Sequence, residues 1–241
     1  MIWLRDMTRF WQQRTRLFGV VARALVWLFA LGFGLRGSLG SIAGFSYEQF
    51  VFPGLIAMTV VFSGLQAAIL IIQDREFGFL KEVQVAPTPR STLVLGKCLG
   101  GASTTTVQAL ILLIFAPFLS VTLTPLNLLA TTVATLVTAL AIASLGVVIG
   151  IRMTSFENFG NIQNFVILPL YMFSGAIFPT HQVPVWLHVI LLLNPLTYGV
   201  NAIRGALLGY EMASVPLNLA ILLTFTVVMI IIALLMSRKE I

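Results

Sequence analysis

QDREFGFLKEVQVAPTPRSTLVLGKC, residues 73–98, carries Asp74, Arg75, Glu76, Lys81, Glu82, Arg90 and Lys97 between two long apolar runs. About a third of the chain's formal charges fall in this one stretch. Flanks this apolar belong in lipid and the charged segment belongs in water. Gly78 and Pro87-Thr88-Pro89 bracket a short helix over about 79–86, because Pro89 biases Thr88 away from helical backbone. The reading is a short, rigid, mixed-charge helix presented at a membrane surface. The plainer alternative is a solvated loop between two spans.

Composition agrees with the flanks. Of 241 residues, 59% are hydrophobic and 9% charged, and mean hydropathy is +1.01. That is a polytopic membrane protein, all-α, because only internally bonded helices satisfy their backbone in lipid without closing a barrel. The net charge of +6 reads as a topology signal and not as a nucleic-acid footprint. A single cysteine, Cys98, excludes an internal disulfide and a cysteine-based metal cluster.

Outward from the charged stretch, six spans are expected, at about 17–35, 50–72, 99–119, 126–151, 162–178 and 215–236, forming one transmembrane domain over 1–241. Residues 1–16 alternate Trp3, Leu4, Met7, Phe10 and Trp11 with Arg5, Arg9 and Arg14, which predicts an amphipathic helix lying in the interface. The first span reads as an uncleaved signal anchor. Arg23 is read near its cytoplasmic end, able to snorkel. Gly146 and Gly150 have the spacing of a close helix crossing. Residues 183–193 are apolar but too few to cross about 30 Å of hydrocarbon at about 1.5 Å per residue. Bounded by Pro184 and Asn194-Pro195, they predict an outer re-entrant hairpin within 179–209. An amphipathic helix carrying Arg204 follows it.

Orientation follows from basic residues. With the N-terminus inside, twelve Lys and Arg face the cytoplasm and only Arg36 and Arg204 face out. Both termini and residues 73–98 are therefore cytoplasmic, in a cell (inner) membrane.

The chemistry is sparse. All eight acids fall outside the spans, which argues against a proton- or ion-coupled carrier. Gly96-Lys97 lacks the upstream glycine and the hydroxyl of a P-loop, with Ser91 and Cys98 in those places, so no nucleotide site is expected. His181 and His188 read as interfacial anchors beside Trp186, with a metal or catalytic role as the alternative. No metal site is expected. Ser63, Ser174 and the threonines of the third span read as packing groups. Phe62, Phe165, Tyr171 and Phe173 either line a path for an apolar cargo or face lipid and neighbouring helices.

Two stretches carry a resemblance. DREFGFLKEVQVAPTPRSTLVLGK, residues 74–97, and FSGAIFPTHQVPVWLHVILLLNPLTYGVNAIRGALLG, residues 173–209, resemble the membrane permeases of type-2 ATP-binding-cassette exporters of drugs, lipids and polysaccharides. The likeness covers nearly the whole chain. The N-terminus lacks the strongly basic, tyrosine-containing pattern of O-antigen permeases, which tilts the likeness toward the multidrug-type branch. The resemblance implies that the charged helix is a coupling helix docked on a separate ATPase subunit. Asp74, Arg75, Glu76, Leu80, Lys81 and Glu82 would form its contacts, Gly78 its turn, and Arg152 and Glu157 a minor second contact. It also implies two permease chains, a homodimer by the family expectation, with two ATPases. ATP and Mg would be bound by the ATPase and no cofactor by this chain, which is then not itself an enzyme. A cargo path runs between facing second and fifth spans, and the cargo is amphipathic or hydrophobic. The competing readings are a non-transporting membrane scaffold or assembly factor, and a membrane-embedded enzyme.

Overall fold

The structure is a computed structural model and describes residues 2–12, 14–34, 41–42, 44–76, 90–153, 160–161, 163–180, 183–210 and 214–240. The charged residues 77–89, and with them the expected helix over 79–86, lie outside the described residues.

Helix α1 (Ile2–Gln12) precedes α2 (Arg14–Trp27), which runs into a wider π-helical stretch, Leu28–Phe33. A two-residue antiparallel hairpin, β1 (Ser41–Ile42) and β2 (Phe45–Ser46), leads into α3 (Tyr47–Gly64) and α4 (Gln66–Glu76). Together α3 and α4 form one apolar rod, Tyr47–Arg75. Helix α5 (Arg90–Ile111) tightens to 3₁₀ geometry over Leu112–Leu119, around Pro117. Ser120, in the left-handed region at φ 55°, ends it. Helix α6 (Pro125–Arg152) starts on Thr124, whose hydroxyl accepts from the Asn127 amide, with Pro125 in the first turn.

The fifth expected span is interrupted. A π-helical turn, Gln163–Ile167, passes into α7 (Leu168–Met172), which ends at Phe173. Helices α8 (Val185–Leu193) and α9 (Pro195–Leu208) meet at 85°. The chain closes with α10 (Val215–Glu240).

Among the described residues, four helical stretches are long and apolar enough to cross a membrane: Tyr47–Arg75, Ser91–Leu119, Pro125–Arg152 and Val215–Ser237. The bent α8–α9 pair makes five if it counts as one span, and Phe18–Gly32 is apolar but shorter.

Helix α6 is the hub, packed by α3, α4, α5, α9 and α10. Its inward face is built from small residues, among them Ala134, Thr138, Ala139, Ala143, Gly146 and Gly150. A Cβ at Gly150 would stand 2.8 Å from Ala68 Cα, so the Gly146/Gly150 spacing marks a real backbone-to-backbone crossing onto the α3–α4 rod. Helix α10 buries one stripe, Asn218, Leu222, Thr226, Ala233 and Ser237. It leaves Leu223, Val227, Val228, Ile231 and Leu235 exposed, as a lipid-facing helix does. Helix α9, expected to be amphipathic, is buried on nearly every side, because α3, α6 and α10 all pack on it.

Candidate functional site

Residues 77–89 join α4 to α5 in sequence, and the structure describes the helix ends on either side of them. Asp74 near the end of α4 and Lys97 in the second turn of α5 meet at 2.7 Å. Arg5 of α1 reaches the same Asp74 oxygen at 2.9 Å, and Lys97 also lies 3.4 Å from Asp6. Three helices are thus joined by one cluster of two acids and two bases. Asp6, Asp74 and Lys97 are all but withdrawn from solvent. Burying a charge is costly unless it is paired, and the four described members of the cluster balance two acids against two bases. Residue size matters too: a Cβ at Gly100 would meet Asp6 Oδ2 at 3.0 Å, so α1 lies tight on α5 at this level. Trp3 Nε1 donates to Ser103 Oγ at 3.1 Å, one turn further along α5.

Arg75 completes the anchor. Its Nη1 donates to Met153 O and its Nη2 to Ile151 O, both at 2.8 Å. These carbonyls close α6 and have no partner further along the helix, so the fork of the guanidinium caps the hub helix and complements its dipole.

The sequence-predicted contact residues separate accordingly. Asp74 and Arg75, expected as contacts to an ATPase subunit, are engaged inside the chain. Their place at the root of the segment explains it: they fix its ends. Glu76 closes α4. Arg152 is exposed at the end of α6, beside the carbonyls that Arg75 caps. Gly78, Leu80, Lys81, Glu82 and Glu157 lie outside the described residues. Sequence reading missed Asp6 and Lys97 as partners, counting the first among the acids outside the spans and the second as a topology charge. The available signal was one acid on the apolar face of α1 and one base well inside a helix.

The four aromatic candidates do not form one surface. Phe165 is 80% exposed and Phe173 37%, whereas Tyr171 is 3% exposed, with its ring edge-on to Trp27 at 6.5 Å. Phe62 is half-buried beneath the guanidinium of Arg23, 4.8 Å from the ring centre. Arg23 therefore stands against the middle of the α3–α4 rod and not at a cytoplasmic end, as its sequence position had suggested.

At the other end of the molecule the break after α7 is satisfied group by group. Asn194, at the α8–α9 corner, donates through Nδ2 to Leu170 O and Phe173 O, both at 2.7 Å. Its Oδ1 accepts from the Leu196 amide at 2.9 Å. Arg204 Nη2 donates to Gly175 O at 3.1 Å and Ala176 O at 3.3 Å, while its guanidinium stacks 3.9 Å above the Phe50 ring. Tyr47 Oη donates to Ile177 O at 3.2 Å. Broken backbone is tolerated at membrane depth only where protein supplies such partners. Arg204 is fully buried, a correction to the expectation of an amphipathic helix with Arg204 on its polar face. Among the described residues no group of three or more His, Cys, Asp or Glu could hold a metal ion. His188 is exposed on α8.

The family model described as ABC-2 type transporter matches residues 1–208. The chain belongs to the ABC-2 type transporter family. Among its relatives, a protein named Nodulation protein J from Rhizobium leguminosarum bv. viciae is 30% identical over 229 residues, covering 93% of this chain and 87% of that protein. The Inner membrane transport permease YadH of Escherichia coli (strain K12) is 24% identical over 94% of this chain and 89% of its own length. The Putative transport permease ycf38 of Cyanophora paradoxa is 27% identical over 78% of this chain and 66% of its own length. The family implies an ATP-binding-cassette ATPase as partner in general.

Proposed function

We propose that this chain is the transmembrane permease subunit of an ATP-driven exporter, and that a separate ATPase subunit docks on the charged segment between α4 and α5. The observation that carries this reading is the anchoring of that segment's roots. Asp74 and Lys97 tie α4 to α5 and α1, and Arg75 ties α4 to the end of α6. A push on the segment then reaches four helices through paired charges instead of dissipating in a loop. In this reading the ATPase contacts come from Glu76, Lys81 and Glu82, with Arg152 and Glu157 beside them, and Asp74 and Arg75 transmit. ATP and Mg stay on the partner, two permease chains pair as a homodimer with two ATPases, and both termini are cytoplasmic.

The finer architecture is part of the same proposal. Helix α2 with its π-helical extension, the α3–α4 rod, α5, α6, the interrupted α7 segment and α10 act as six spans. The α8–α9 corner is the outer re-entrant hairpin. The cargo is amphipathic or hydrophobic and moves outward from the cytoplasm or inner leaflet.

The test is co-expression with an ATP-binding-cassette subunit and reconstitution into vesicles. Glu76→Arg combined with Glu82→Arg is expected to leave the permease folded but to separate ATP turnover from cargo movement. Normal docking and transport by the double variant would remove the coupling role from this segment.

A further inference from the structure

Arg23 is a cation in an apolar place. It lies on the apolar stretch Phe18–Gly32, its side chain is exposed, and among the described residues its contact is the face of Phe62 at 4.8 Å, with no ion pair or hydrogen bond. Phe62 fixes the depth. Along the Tyr47–Arg75 rod it sits about 21 Å from Glu48 and about 18 Å from Asp74, at about 1.5 Å per residue. Its neighbour Ser63 bonds Gln108 of α5, about 12 Å along α5 from the Gly100 level where α1 packs, on the same rise. Both measures put the guanidinium near the middle of a hydrocarbon layer about 30 Å thick. Trp27, one turn further along α2, is partly exposed on the same side.

A charge at that depth needs a counter-ion, and the described residues provide none there. Asp6 and Asp74 belong to the inner cluster, and Glu48 is buried at the far end of α3. The remaining acids, Glu76, Glu82, Glu157, Glu211 and Glu240, fall beyond the apolar runs in sequence, so a second copy of the chain has none to offer at this level either. The Phe62 ring stabilises the cation without neutralising it. An intramembrane arginine held in this way marks a pathway for an anion.

We infer that Arg23, over Phe62 and beside Trp27, is the site where the anionic headgroup of an amphiphilic cargo rests midway through its passage. The inference deepens the proposed permease function and rests on it for the word cargo. The ligand class is an alkyl chain ending in a carboxylate, phosphate or sulfate. The guanidinium fork takes the headgroup, and the aromatic faces and surrounding lipid take the chain.

The test uses the full chain in phosphatidylcholine nanodiscs, without ATPase, so that its outcome is independent of transport. Trp27 is the reporter. A dibrominated fatty acid, its neutral methyl ester and brominated phosphatidylglycerol are added in separate arms, and Trp27→Phe identifies the quenching that belongs to this site. The acid is expected to quench saturably at a concentration at least about tenfold lower than the ester, the scale of one charge-assisted contact. Arg23→Gln should abolish that difference, and Arg23→Lys should retain part of it. Equal quenching by acid and ester in the unaltered chain, or no effect of Arg23→Gln, overturns the inference. So does phosphatidylglycerol acting as strongly as the acid, which would give the site to a resident lipid. Failure of transport with every cargo would count against the permease reading and leave this binding result standing.

Discussion

Lys97 Nζ and Asp74 Oδ2 lie 2.7 Å apart with 1% and 3% of their side chains exposed, and they are the direct link between the two helices that carry the charged segment. Among the described residues Arg5 and Asp6 join the cluster, and the formal charges of these four cancel. Lys97→Met leaves two buried acids facing one arginine and is expected to destabilise the chain by about 3–5 kcal/mol. Adding Asp74→Asn restores the balance of one acid and one base, so the double variant should be more stable than Lys97→Met alone. Thermal unfolding of the four members of the cycle in nanodiscs measures this. Strict additivity would mean that the two charges do not interact.

Arg75 acts on α6 by geometry as well as charge. Its two nitrogens each hold one terminal carbonyl, Ile151 O and Met153 O. Arg75→Lys keeps the charge and loses the fork, so it should recover only part of the stability lost in Arg75→Ala, itself about 1.5–3 kcal/mol. Amide exchange in the last turn of α6 should accelerate in both variants. Unchanged exchange there would show that the cap does not hold the helix end.

These two anchors mark the boundary of what sequence reading reaches. The long helices were legible because apolar runs of more than twenty residues have one stable form in lipid. The end of the α8 segment was legible from Asn194-Pro195, and the Gly146/Gly150 crossing from its spacing. The partners of Asp6, Lys97 and Arg204 were not. Asp6 and Lys97 are 91 positions apart, and pairing over that distance is decided by how helices pack. Each charge read singly looked like a solvated or topology residue. Arg23 was misplaced for a related reason: depth in the bilayer depends on where α2 meets Phe62, and no periodicity of α2 encodes that.

Asn194 should behave as a corner brace. It satisfies two carbonyls at the end of α7 and one amide at the start of α9. Asn194→Ala removes all three partners from a buried or part-buried place and is expected to cost about 2–4 kcal/mol, a few lost bonds at about 1 kcal/mol or more each. Asn194→Asp keeps the acceptor for Leu196 but turns a carboxylate toward two carbonyl oxygens, so it should be worse than alanine. Thermal unfolding ranks the three proteins. An aspartate variant as stable as the parent would show that these carbonyls do not depend on a donor from residue 194.

The contact of α9 with the hub helix predicts a rescue. A Cβ at Gly199 would lie 2.4 Å from Thr138 Cγ2 and 3.0 Å from its Oγ1, both on the inward face of α6. Neither helix can retreat easily, since α9 is also held by α3 and α10. Gly199→Ala is therefore expected to overpack the crossing by about 1–3 kcal/mol, despite alanine's better helix propensity. Thr138→Ala removes both offending atoms and leaves its own Cβ at 3.3 Å, which a small shift accommodates. The pair Gly199→Ala with Thr138→Ala should recover most of the loss, because the methyl lost on one helix makes room for the one gained on the other. Thermal unfolding of the two single variants and the pair decides it: if the pair is no more stable than Gly199→Ala alone, the crossing is not what requires a glycine at 199.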